Sequence, residues 1–110
     1  ENKASNHSII LSCCWLIRNV MEGTKDHIQE IISNGLLRKI VEVMQAGDSD
    51  CQEQCSWALY HLVMKGTYKQ IISLLNEKPM PAMSAVLAHT DRECIYDALY
   101  MIDKLLSIFK

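Results

Sequence analysis

Residues 13–24 read Cys-Cys-Trp-Leu-Ile-Arg-Asn-Val-Met-Glu-Gly-Thr, and the pattern returns over residues 55–67 as Cys-Ser-Trp-Ala-Leu-Tyr-His-Leu-Val-Met-Lys-Gly-Thr. Cys13-Cys14-Trp15 steps to Cys55-Ser56-Trp57 at a period of 42, and Met21-Glu22-Gly23-Thr24 steps to Met64-Lys65-Gly66-Thr67 at 43, with one residue inserted between Trp57 and Gly66. A further step of 42 carries Ser56-Trp57-Ala58-Leu59 to Ala98-Leu99-Tyr100-Met101, keeping the small residue and replacing the indole by Leu99. A period in this range marks stacked supersecondary units, each burying its apolar face on the next.

Around this repeat, apolar residues recur at three-and-four spacing, and no stretch alternates cleanly between apolar and polar. The fold is therefore expected to be all-α. Breaks at Gly23, Asn34-Gly35, Ala46-Gly47-Asp48, Gly66, Lys78-Pro79 and His89-Thr90-Asp91 divide helices expected at 6–22, 25–33, 36–45, 48–65, 68–77, 81–88 and 91–109. Pro79 and Pro81 fall near a helix start, where proline is tolerated. Asn6 or Ser5, before the first apolar pattern, reads as an N-cap better than Asn6-His7-Ser8 reads as a glycosylation signal. Long helices alternate with pairs of short ones, and three-helix units of about 42 residues are those of armadillo-type solenoids.

The 110 residues suffice for one ordinary domain, and 49% hydrophobic with 22% charged residues is a globular composition. Eleven Lys and Arg against 13 Asp and Glu give a net charge of -2, so overall charge offers no attraction to nucleic acid or to an anionic membrane. The longest apolar run, Cys13 to Ile17, is far short of the ~20 residues a bilayer requires. No leader pattern opens the chain, which reads as an excised piece. Five cysteines at no framework-like spacing suit a reducing compartment, the cytosol or nucleus.

At about 100° per residue, Ser8, Ser12, Trp15, Asn19 and Glu22 share one otherwise polar side of the first long helix. Ile9, Ile10, Cys13, Leu16, Ile17, Val20 and Met21 form the opposite, core-facing stripe. In the second long helix Asp50, Glu53, Gln54, Trp57 and His61 share a face, opposite Cys51, Cys55, Ala58, Leu59, Leu62 and Val63. Burial of either indole between repeats is the competing reading, but repetition beside polar neighbours favours two displayed indoles in register. An indole wall covers an aliphatic stem or holds a cation, and a carboxamide four residues on hydrogen-bonds peptide backbone. Lys or Arg suits such a slot, with Glu22, Asp50 and Glu53 supplying opposite charge at the rim.

The stretch Cys14-Trp15-Leu16-Ile17-Arg18-Asn19-Val20-Met21-Glu22-Gly23-Thr24-Lys25-Asp26-His27-Ile28-Gln29 resembles the Trp-x-x-x-Asn helix of the importin-alpha (karyopherin-alpha) family and the Gly, basic-Asp and Ile-Gln sequence that follows it. Gln54-Cys55-Ser56-Trp57-Ala58-Leu59 with Gly66-Thr67-Tyr68-Lys69-Gln70-Ile71 resembles the next repeat, and Ala98 to Leu106 the one after, where the family also loses its Trp. The resemblance implies C-terminal armadillo repeats of a nuclear import adaptor: residues 1–23 as the last helix of one repeat, 24–66 as a second and 67–110 as a third. It implies a right-handed superhelical solenoid with a groove for basic nuclear localisation signals of cargo, with Trp15, Asn19 and Trp57 carried over by position. It also implies residence in cytoplasm and nucleus, and contacts of the full-length protein with importin-beta, an export receptor or a nucleoporin. Three positions depart from the pattern. His61 replaces the second Asn, Gln54 replaces a frequent Glu, and Arg18 brings a positive charge to the groove. They favour an alternative, a non-catalytic solenoid segment with a degenerate groove that docks another protein.

Other signals are weaker. Cys51, Cys55 and His61 complete no four-ligand zinc set, and the wheel puts both cysteines in the core stripe. Cys13 and Cys55, at equivalent repeat positions, read as small core residues. Ser, His and Asp are scattered over caps and faces, with His7, His27 and His89 solvated or capping, and the four glycines form no phosphate loop. No enzyme and no cofactor is expected. Met21, Met83 and Met101 have core positions, while Met64 falls beside Trp57 and His61 on the wheel, fit either for the groove or for packing.

Overall fold

The computed structural model describes residues 3–46, 48–88 and 91–108, and all regular structure among them is helical. The helices are α1 (Lys3–Met21), α2 (Lys25–Ser33), α3 (Leu36–Ala46), α4 (Ser49–Lys65), α5 (Tyr68–Asn76), α6 (Met80–Leu87) and α7 (Arg92–Ser107). Each corresponds to an expected helix. The main difference is at the start: α1 begins at Lys3, so Ser5 and Asn6 lie inside the helix and neither caps it. Gly47, His89 and Thr90, expected breaks, lie outside the described residues.

Local chemistry sets most helix starts, and the caps repeat with the sequence. Thr24 accepts from the His27 amide while His27 Nδ1 accepts from the Thr24 amide, and Thr67 and Gln70 repeat this reciprocal pair 43 residues on. Asp48 caps α4 and Asp91 caps α7, again 43 apart. Each such cap is worth about 1 kcal/mol. Gly35, at φ 72°, takes the left-handed turn between α2 and α3. Gly66 is required for closeness: its N–H donates to the Leu62 carbonyl at 2.7 Å, and a Cβ there would collide with that same oxygen.

The long helices α1, α4 and α7 lie side by side in one layer, with α3 and α6 behind them and α2 and α5 stacked on each other. Met21, Ile28, Ile40, Met44, Leu59, Leu62, Leu74, Met83, Met101 and Leu105 fill the space between layers with almost no exposure. Gln70 is one of two buried polar residues among those described, with Ser56. Its Nε2 donates to the Lys25 carbonyl at 3.0 Å and to Gln29 Oε1 at 3.2 Å, while its Oε1 accepts from the Thr67 amide. One side chain thus caps α5 and fastens it to α2.

The expected core stripe of α1 is corrected. Met21 is buried and Ile17 half-buried, but Ile9, Ile10, Cys13, Leu16 and Val20 are exposed, and Cys14 is the buried cysteine. The reason lies in the neighbours. Cys51, Cys55, Ala58 and Leu62 of α4 stand 42 residues after Ile9, Cys13, Leu16 and Val20, and all four are buried in a helix that packs on α3 as well as on α1 and α7. Among the described residues α1 packs chiefly on α4 and α2, so the equivalent stripe stays open. Cys14 instead meets Cys55 across the α1–α4 contact, sulfur to sulfur at 3.6 Å.

Candidate functional site

The layer of long helices carries the side chains singled out in the sequence, and it divides them into two unlike pockets. The first lies between α1 and α4. Leu11, Ser12, Trp15 and Leu16 come from α1, and Asp50, Glu53 and Gln54 from α4, around about 660 Å³ of open space. Trp15 is 55% exposed, and among the described residues its ring stacks on no aromatic and holds no cation. An apolar wall facing two exposed carboxylates suits a long cationic side chain, whose methylenes lie on the indole while its head reaches Asp50 and Glu53. Leu16 lines this pocket too, against its expected place in the core.

The second pocket lies beside Trp57 and is smaller, with about 110 Å³ of open space among Arg18, Glu53, Trp57, Asp91, Glu93, Cys94 and Asp97. Trp57 was expected on display, but it is half-buried with partners on several sides. Arg18 Cζ lies 5.2 Å from its ring centroid, Tyr60 stacks on it at 5.7 Å, and His61 meets it edge-on at 4.9 Å. The indole Nε1–H donates to Glu22 Oε1 at 2.6 Å. Arg18 in turn donates from Nη1 to Gln54 Oε1 at 3.1 Å and from Nε to Glu22 Oε1 at 3.4 Å. Glu22, expected to offer charge to a ligand, is thereby committed within the chain, and the Trp57 hydrogen bond, followed by Arg18, holds its carboxyl below the usual range.

His61 was expected on the solvated face and is corrected likewise. Its side chain is 14% exposed, and neither ring nitrogen has a hydrogen-bond partner among the described residues, with Glu22 Oε1 at 3.9 Å from Nε2. Burial, then the Lys65 charge, depresses its pKa against the opposing pull of Glu22. It serves as a packing ring and does not replace the missing carboxamide. Asn19 is exposed, and its amide donates to the Trp15 carbonyl at 3.0 Å, one turn back on its own helix.

Two features escape the sequence reading. Arg18 lies over the ring instead of standing beside the groove, and α7 contributes Asp91, Glu93 and Asp97, whose crowding together with burial pushes the Asp97 carboxyl up. The spacing of Glu93 and Asp97, one helical turn apart, was the available signal for the second. Two groups bring metal-ligand atoms within 4.8 Å of one another: His7 with Asp48 and Cys51, and Glu53 with Asp91 and Cys94. In both the thiol is pushed up to about 12, chiefly by burial, and Asp48 and Asp91 already cap helices, so the geometry follows from capping.

Residues 24–64 match the Armadillo/beta-catenin-like repeat family. No curated protein matches the chain. Among solved structures it is similar to a designed armadillo repeat protein in complex with the peptide (KR)4, at 21% identity and a TM-score of 0.77 over 88% of this chain. It is also similar to an engineered protein, at 21% identity and 0.78 over 90% of this chain, and to a second designed armadillo repeat protein, at 21% and 0.73 over 81%. The chain spans 40%, 40% and 37% of the lengths of these three. In fold this chain is an all-helical solenoid of the armadillo type along most of its length, and its residues 24–64 match that repeat in sequence.

Proposed function

We propose that this solenoid is a protein-binding scaffold whose long-helix face holds an extended basic segment of a partner protein, as a nuclear import adaptor holds the localisation signal of its cargo. The observation that carries the reading is the open pocket at Trp15, with an indole wall, a leucine floor and the carboxylates of Asp50 and Glu53 at its rim. Asn19, exposed one turn further along, has a carboxamide oxygen free to accept from a peptide backbone. The designed neighbour in complex with (KR)4 supports the same ligand chemistry for a surface of this fold. The import role, with residence in cytoplasm and nucleus and with importin-beta, an export receptor or a nucleoporin as partners of a longer protein, rests on the importin-alpha resemblance.

The test is a titration of tryptophan fluorescence with a lysine-rich peptide at low and moderate salt, beside an alanine-substituted peptide. Saturable binding that weakens with salt and is lost in Trp15→Ala, with helicity retained, supports the reading. Asn19→Ala should weaken binding in the same way. A flat response from folded protein favours the second reading, a degenerate groove that docks a folded protein elsewhere. The mutual satisfaction of Arg18, Glu22 and Trp57 is the observation on that side.

A further inference from the structure

The two pockets differ in one respect above all, which is that the second already contains a cation. The groups against the Trp57 ring are engaged within the chain: Arg18 lies over the ring, Gln54 Oε1 receives its Nη1–H, and Glu22 is shared between its Nε–H and the indole N–H. These contacts come from α1 onto α4, so the helix that forms the Trp15 pocket also fills the Trp57 slot. We infer that Arg18 is a built-in occupant of the Trp57 slot and thereby the specificity-determining residue of the groove. The ligand it selects has a cationic side chain for the Trp15 pocket and an uncharged one where the chain passes Trp57. This deepens the basic-peptide reading and rests on it.

The charges around Arg18 give the selection its sign. A second cation brought to the slot meets the Arg18 guanidinium at short range, and it finds little free volume and no uncommitted ring face. Without Arg18 the same place would keep Glu22, Glu53, Glu93 and Asp97 around an indole, an acid-lined aromatic slot. Burial, followed by the neighbouring Glu93 and Asp91 carboxylates, raises the Asp97 carboxyl, and a cation beside these three acids offsets the like-charge part of that cost. Removing one positive side chain therefore converts an occupied slot into a second receptor for lysine, while the Trp15 pocket loses no lining side chain and only the Arg18 bond to its Gln54.

The experiment compares two short peptides by fluorescence anisotropy, one with a single lysine in a serine–glycine background and one with lysine at every second position. Arg18→Ala and Arg18→Gln should raise the ratio of multi-lysine to single-lysine affinity about tenfold over that of the native chain. Arg18→Lys keeps a cation in the slot and should behave as native. Trp57→Leu, the residue found at the equivalent position 99, should erase the gain when added to Arg18→Ala. If both uncharged variants are helical and keep the ratio of the native chain, Arg18 is only a strut between helices and the inference is overturned. If neither the native chain nor any helical Arg18 variant binds either peptide, the basic-peptide reading falls and this inference with it.

Discussion

Ser56 and His61 show what the polar side chains of α4 cost. Ser56 is fully buried and its hydroxyl has no hydrogen-bond partner among the described residues, although Ala98 fills the equivalent position of α7 without exposure. Burying an unsatisfied hydroxyl costs on the order of 1 kcal/mol or more, so Ser56→Ala should raise stability by about 1 kcal/mol, read from the urea midpoint at constant slope. His61 makes stability depend on pH. Its folded pKa lies below the usual 6.5 because of burial and Lys65, with Arg18 adding to the shift and Glu22 opposing it. Above 6.5 the ring is neutral in both states and adds no slope. Below 6.5 the unfolded chain takes the proton first, so stability falls as pH drops toward the folded value. His61→Gln should flatten that fall below about pH 6.5, and an unchanged slope would mean that the ring is freely hydrated in the folded chain. At this level the sequence told which residue types cluster but not who partners whom. Trp15 and Trp57 look alike on a helical wheel, and it is Arg18 and Glu22 reaching across from α1, with Tyr60 and His61 of α4, that separate an open indole from an occupied one.

Helix positions were legible because the punctuation is chemical. Thr24, Asp48, Thr67 and Asp91 cap helices by the side-chain oxygens that make them recognisable as caps, and Gly35 takes a backbone angle other residues avoid. The face of α1 was not legible. Periodicity identifies a stripe, but whether the stripe is covered depends on which helices lie against it, and α1 lacks the cover that α3 gives α4. Gln70 also went unread, because a glutamine early in a short helix resembles any cap partner until its second role across to α2 is seen. That role yields a prediction for the α2–α5 pair. Gln70→Ala removes the acceptor for the Thr67 amide and the donor to the Lys25 carbonyl at a 4% exposed position, and should cost about 1–2 kcal/mol. Gln29→Ala, which loses only an exposed partner of that bridge, should cost less than about 0.5 kcal/mol by the same denaturation measurement.

Stacked units expose apolar surface wherever a layer goes uncovered, and here that surface runs along α1. Ile9, Cys13, Leu16 and Val20 occupy the positions that α4 buries, so their exposure is a consequence of the repeat and does not depend on any ligand pocket, Leu16 excepted. A continuous stripe of this kind is well suited to contact with another apolar face. Chains in solution should therefore associate weakly and reversibly, with a weight-average mass that rises with concentration in sedimentation equilibrium. Ile9→Lys combined with Val20→Lys should keep the mass at that of the monomer over the same range while leaving the thermal midpoint within a few degrees, since both side chains already face solvent. Leu16→Lys is the less informative substitution, because Leu16 also floors the Trp15 pocket and would alter peptide binding along with association. Association that persists unchanged in the double variant would shift attention to α7, where Tyr96, Leu99 and Leu106 are exposed, as the face that joins the chains.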